Sequence, residues 1–290
     1  MNFNFPLFFS VLLDGLILGM IYSLASIGLT LMFGLMGILN FAHINFMVIC
    51  VYASLFVYSF ISNAAVAAIL GVVIMCVAGL AIYITLITPV FKFGLDAAMM
   101  NTFALSYFLE VLILAIFGPF YKNFPYLFPD IRIAFFGGIT YSSYRLMVAL
   151  VASLVIGSLF LVIRKTMFGM ALRAVMQDTI GASLLGIKIK KITMIGFMVS
   201  IILAGVAGIL IAPMYSVHPT FLDRLLPISF AVTIVGGLGN IEGALVAGLI
   251  IGIADSVGGV YVSSAYKDAI IFLLLIIVLL FRPRGIFGRR

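Results

Sequence analysis

Charge is what this 290-residue sequence lacks most: only 16 Lys/Arg and 9 Asp/Glu are present, and none falls between Gly15 and Phe91, a run of 77 positions. A water-soluble domain carries charge on roughly a quarter of its residues, so a soluble enzyme is excluded. Disorder and coiled coil, which need polar or strictly periodic sequence, are excluded with it. Tryptophan is absent and cysteine occurs twice, as Cys50 and Cys76, both inside apolar stretches. A disulfide framework is therefore not expected. With only His43 and His218 as histidines, a histidine-rich metal site is not expected either. The first ten residues hold no Lys or Arg, so they lack the basic region of a cleaved signal peptide.

What is present is apolar: 65% of residues are hydrophobic. A spanning helix needs about 20 apolar residues, and the short alternating segments of a barrel are missing. The fold class is thus an all-α polytopic membrane protein with about eight transmembrane segments. They read as 7–33, 44–62, 64–88, 97–118, 143–163, 192–212, 227–257 and 266–281. Gly28, Gly34 and Gly37 favour a break near the end of the first. The 119–142 loop carries Pro119, Pro125, Pro129 and the Gly137–Gly138 pair.

Ten of the basic residues lie in 164–191 and 282–290, which the positive-inside rule places in the cytoplasm. Parity then constrains the rest. If 227–257 crossed once, the tail would end outside, so this stretch must enter and return. GGLGN at 236–240 interrupts it, giving a broken or re-entrant hairpin: a short half-helix, a Gly-rich turn and a full helix. One transmembrane domain spans 1–290, with 164–191 as a cytoplasmic loop within it. That loop reads as two short helices, the second capped by Asp178 or Thr179 and stopped at Gly186. Its Met170, Leu172, Val175, Met176, Ile180, Leu184 and Leu185 are too apolar for a solvated loop and favour a protein partner over an interfacial helix.

Asn40 and His43 follow the first span, and Asn240 and Glu242 sit in the Gly-rich turn. Hydrocarbon penalises such groups, so the four are candidates for a substrate pathway, weighed against packing roles and a hydrated turn. Gly15/Gly19, Gly239/Gly243 and Gly248/Gly252 have small-xxx-small spacing and are candidate helix-packing glycines, within this chain or toward a second one. Asp14, Glu110 and Asp255 are expected near span ends, and Asp223–Arg224 as a solvated local pair.

The segments LNFAHINF, GMALRAVMQDTIGASLLGI, GGLGNIEGALVAG and YKDAIIFLLLIIVLLFRPRGIFG occur in the order seen in LivH-type permeases of branched-chain amino-acid ABC importers. The sequence resembles that family over nearly its whole length. Two positions depart from its pattern: Ile44 follows NFAH where Gly is usual, and Glu242 stands where many relatives have Pro or an apolar residue. The resemblance implies a multi-pass subunit of the bacterial cytoplasmic (inner) membrane, with its C-terminus in the cytoplasm. It would move a small amino acid from a binding protein and would not be an enzyme. It implies no cofactor on this chain, ATP being used by two cytoplasmic ATPase subunits beside a second homologous permease. The family's ATPase-coupling loop maps onto Arg173, Ala174, Asp178, Ala182 and Gly186. Related members carry urea, amides or other small solutes. An ion-coupled secondary transporter is the rival class, and an intramembrane enzyme would need a cluster of reactive residues that is not evident.

Overall fold

A computed structural model describes residues 5–134 and 140–288. Gly137, Gly138 and the last two arginines, Arg289 and Arg290, lie outside the described residues. The chain is an all-α polytopic membrane protein, and eight of the described helical segments are long and apolar enough to cross a bilayer. The spanning helices are α1 (Phe5–Met36), α2 (His43–Ile61), α3 (Ala64–Ile82), α4 (Leu95–Phe117), α5 (Ser143–Lys165), α8 (Ile189–Ile211), α10 (Ile241–Tyr261) and α11 (Lys267–Phe281). Short helices α6 (Met167–Gln177) and α7 (Thr179–Leu184) lie between α5 and α8, and the half-helix α9 (Leu225–Gly236) precedes α10. Strands β1 (Arg132–Ala134) and β2 (Thr140–Ser142) pair antiparallel just before α5.

α1 is the axis of the bundle. In its most apolar stretch 78% of residues are buried, against 6% for the last span. It runs antiparallel to α10, and glycines set the distance between them. A Cβ added at Gly15 or Gly19 would fall 2.8 Å from the Cα of Ile253 or Leu249. Such an approach requires residues without side chains at the contact. Ser23 Oγ donates to Leu245 O at 3.0 Å and Ser256 Oγ to Val11 O at 2.8 Å along the same seam. Gly15, Gly19, Gly248 and Gly252 thus pack within this chain. Gly239 instead lies in the turn before α10 with φ +79°, and Gly243 meets Gly236.

α1 continues past Gly28 and Gly34 and stops only at Gly37, where φ is +70°. Gly28 and Gly34 do not break the helix. They make room for the Ser200 carbonyl and the Met176 side chain. The third span extends beyond the expected 88, through a π-helical turn (Tyr83–Ile87) into a 3₁₀ turn (Thr88–Phe93). Pro89 lacks the N–H that regular α-helix would require there.

The hairpin that parity demands is present as α9, a turn at 237–240 and α10. Twelve residues of α9 span only about 18 Å, well short of a bilayer core of about 30 Å. Its turn lies beside α1's last residues, a Cβ at Gly239 being 3.5 Å from Gly34 Cα. The tail seals it from below: Ile286 N donates to Val235 O at 2.8 Å and Phe287 N to Gly236 O at 3.2 Å. The turn, the α6–α7 loop and the tail therefore share one end of the bundle, called here the basic end.

Candidate functional site

The α6–α7 loop is built by its own caps. Thr166 Oγ1 accepts from Gly169 N at 3.1 Å to start α6, and Asp178 Oδ1 accepts from Ile180 N at 3.0 Å to start α7. Such side-chain caps stabilise a helix by about 1 kcal/mol each. Gly186, at φ +81°, closes α7 with bonds from Gly186 N to Ser183 O and Ile187 N to Ala182 O. This is a left-handed stop that a residue with a Cβ adopts only under strain.

The sequence-derived coupling residues hold the loop's shape rather than form its tip. The Arg173 guanidinium donates to the Ile163 carbonyl at the end of α5, Ala182 is buried and Ala174 is half-buried. The outward face is apolar: Met167, Ile180, Leu184 and Leu185 are 76–84% exposed. Leu172 and Val175 point inward. The element is a capped two-helix knob with an apolar tip between basic flanks.

Asn240 Oδ1 accepts from Gly243 N at 2.9 Å, and its Nδ2 donates to Phe287 O at 2.9 Å, pinning turn to tail. Glu242 is in the first turn of α10, more than half exposed and paired with Arg164 from α5. That placement at a helix N-terminus favours its charge. Asn40 and His43 are fully buried. Asn40 Oδ1 accepts from Ala42 N and its Nδ2 donates to Met32 Sδ, while His43 Nε2 lies 3.0 Å from Ala25 O. Among the described residues no hydrogen bond joins the Asn40–His43 pair to Asn240 or Glu242.

Three features escaped the sequence reading. Asp255 is not at a span end in contact with water but 1% exposed, bonded by Tyr22 Oη and by Arg224 Nη2, each at 2.8 Å. Arg224 also pairs with Asp268 at 2.6 Å, so Asp223–Arg224 is not a local pair. The arginine ties the start of α9 to α10 and α11, because a buried carboxylate needs a cation or donors. Second, hydroxyl residues Ser26 and Thr30 on α1 and Ser229 and Thr233 on α9 lie in the core, with Thr233 Oγ1 donating to the Ser26 carbonyl at 3.4 Å. Thr30 and Thr233 hydroxyls are 3.2 Å apart, and all four residues are buried. The i, i+4 spacing of hydroxyls in both apolar runs was a readable signal.

Third, two cavities open at the end opposite the basic one. One, about 480 Å³, is lined by Asp14, Asp130, Arg132, Tyr141 and Arg145, with Asp14 bonded to both Tyr141 and Arg145. The other, about 250 Å³, is lined by Glu110, Tyr121 and His218. Beside it, partial burial and the Glu110 carboxylate push the Asp223 carboxyl up to about 6. Among the described residues no group of His, Cys, Asp and Glu is placed to hold a metal ion.

Comparison with known proteins bears on this geometry. A sequence family described as "Branched-chain amino acid transport system / permease component" matches residues 11–279. The high-affinity branched-chain amino acid transport system permease protein LivH of Salmonella typhimurium is 31% identical, over 100% of this chain and 98% of its own length. LivH of Escherichia coli K12 is 30% identical over the same shares. BraD of Pseudomonas aeruginosa is 30% identical over 96% of this chain and 95% of its own. No solved structure matches the chain.

Proposed function

This chain belongs to the permease-component family of branched-chain amino acid transport systems, and we propose that it carries an aliphatic α-amino acid through the bacterial inner membrane as one permease subunit of an ABC importer. A binding protein delivers the amino acid at the end holding the two cavities, and the basic end faces the cytoplasm. ATP is bound and hydrolysed by separate ATPase subunits, which grip the α6–α7 knob. A second permease subunit completes the membrane part.

The observation that carries this reading is the knob's tip. Ile180, Leu184 and Leu185 are each more than three-quarters exposed on a pair of capped helices. Burying such a side chain in a partner's groove stabilises the contact by about 1.5–3 kcal/mol. The buried positions Leu172, Val175 and Ala182 fix the knob to the bundle, so force applied at the tip is passed on rather than absorbed. The reading is tested by placing single cysteines at Leu184 and Leu185 in a background without Cys50 and Cys76. Crosslinks to an ATPase subunit in the assembled importer support it. Leu184→Asp should abolish substrate-stimulated ATP hydrolysis while the subunit's level in the membrane stays normal. Lipid adducts alone at these cysteines, with coupling intact in Leu184→Asp, would mean the knob is an interfacial element and the proposal is wrong.

A further inference from the structure

The segment between α1 and α2 is non-helical and sits at membrane depth. His43 reaches Ala25 and Asn40 reaches Met32, so after Met36 the chain turns back along α1. Ala25 lies 11 residues before Met36, about 16 Å along the helix axis. Irregular backbone at that depth persists only against protein or beside a water-filled path. Residues 38, 40 and 42 of the segment are buried, whereas Leu39 and Phe41 are half-exposed.

Phe41 is the centre of an aromatic cluster. Its ring meets Phe103 of α4 at 5.6 Å and Phe230 of the half-helix α9 at 5.3 Å, both edge to face. Phe103 in turn meets Tyr107 at 5.1 Å. A polar stripe borders these rings on α4. Thr102 Oγ1 accepts from Phe41 N, Ser106 Oγ donates to Asn45 Oδ1 at 2.7 Å, and Glu110 follows one turn on. Faces turned to lipid avoid such a stripe, because hydrocarbon penalises each polar group. Beyond Glu110 lies the 250 Å³ cavity, with Asp223 close enough for Glu110 to perturb it. Neither carboxylate has a cationic partner among the described residues.

We infer that this flank is one wall of the translocation path, and that Phe41, Phe103 and Phe230 form the surface over which the aliphatic side chain of the amino acid passes. The inference rests on the function proposed above and deepens it. The acidic mouth at Glu110 and Asp223 attracts the ammonium group. The ring faces receive the branched apolar side chain without a polar partner. Phe41 stands on non-helical backbone and Phe230 on a half-helix, so two of the three rings sit on elements that end at membrane depth. Their separation can change without bending a full span.

The test uses the complete importer in proteoliposomes, loaded by its binding protein with a diazirine analogue of leucine. Irradiation during turnover should place adducts within 37–42 or on the Phe103 and Phe230 peptides. In the same system Phe41→Ala should lower leucine uptake relative to alanine by about 10-fold or more, the discrimination an apolar wall supplies. Phe41→Leu should restore most of it, and both variants should reach the membrane and copurify with the other importer subunits at the unaltered level, which reports an intact fold. If the unaltered importer carries no aliphatic amino acid, the functional reading itself fails. If it carries leucine but the adducts fall elsewhere on the chain, or Phe41→Ala leaves the leucine-to-alanine ratio unchanged, the wall is misplaced and the inference is overturned.

Discussion

Gly19→Ala probes the axis of the bundle with a single methyl group. Its Cβ would lie 2.8 Å from Leu249 Cα and 3.0 Å from Gly248 O. Both are backbone atoms of α10, so no side chain can rotate away. Restoring ordinary carbon–carbon contact requires the helices to part by about 1 Å, and overpacking of this kind costs about 1–3 kcal/mol. The same separation breaks the interhelical bond from Ser23 to Leu245 O, now 3.0 Å. That loss is small, about 0.6 kcal/mol, because Ser23 Oγ keeps its bond to Gly19 O. Offset by a helix-propensity gain of up to about 1 kcal/mol, the expected net destabilisation is about 1–3 kcal/mol. Gly157→Ala on α5 is the control, since nothing lies within 4 Å of its added Cβ. It should be neutral or gain up to about 1 kcal/mol of helix propensity. Thermal and denaturant unfolding of the purified subunit in detergent distinguishes the two. Equal stability of Gly19→Ala and Gly157→Ala would refute the reasoning that close α1–α10 contact holds the bundle.

Arg224→Gln leaves Asp255 buried without its cation and should cost about 3 kcal/mol, the low end for breaking a buried pair because Arg224 is 41% exposed. Asp255→Asn in addition should recover part of that loss, and a double variant no more stable than the single would count against the pair. Gly186→Val meets no neighbour within 4 Å, so its cost is the left-handed backbone alone, about 1–2 kcal/mol. Uptake and stimulated ATP hydrolysis should fall while the membrane level holds, and unchanged coupling would show that the α7 stop is dispensable. Burial, and next the Glu110 carboxylate, raise the Asp223 carboxyl from its ordinary value near 3.8 to about 6. The folded chain therefore binds the proton more tightly, and stability declines as pH rises from about 4 to 6 and is level above. Asp223→Asn should flatten that part of the pH–stability curve, and an unaltered slope would place the titration elsewhere.

The helical spans were legible because hydrocarbon leaves one solution for each apolar run, and the hairpin at 225–261 because charge clustering and parity admit no other path. The loop's caps at Asp178 and Gly186 follow from local backbone chemistry and were equally readable. What stayed hidden depends on pairing across the bundle. Asp255 looked like an interfacial acid because its partners, Tyr22 and Arg224, are 233 and 31 residues away. Glu242 looked unusual at a turn until Arg164 of α5 stood beside it. Phe41 was one of 27 phenylalanines. Only the doubling back of 37–42 along α1 distinguishes it from the rest, and no periodicity encodes that.

The contacts at the basic end bear on how the two proposed sites communicate. Gly34 of α1 receives the Met176 side chain of α6 on one side and the Gly239 turn on the other. Arg164, one residue before the end of α5, holds Glu242 at the start of α10, and the tail clasps the same turn through Asn240 and Gly236. A displacement of the α6–α7 knob therefore acts on the end of α1 and on the α9–α10 turn together. The first continues directly into the 37–42 segment bearing Phe41, and the second into the half-helix bearing Phe230. Both rings are thus carried by elements that begin at the junction the knob would move, while Arg224, Asp255 and Asp268 tie the far end of α9 to α10 and α11. With its far end tethered and its near end at the moving junction, α9 would swing rather than slide, opening or closing the gap between Phe41 and Phe230.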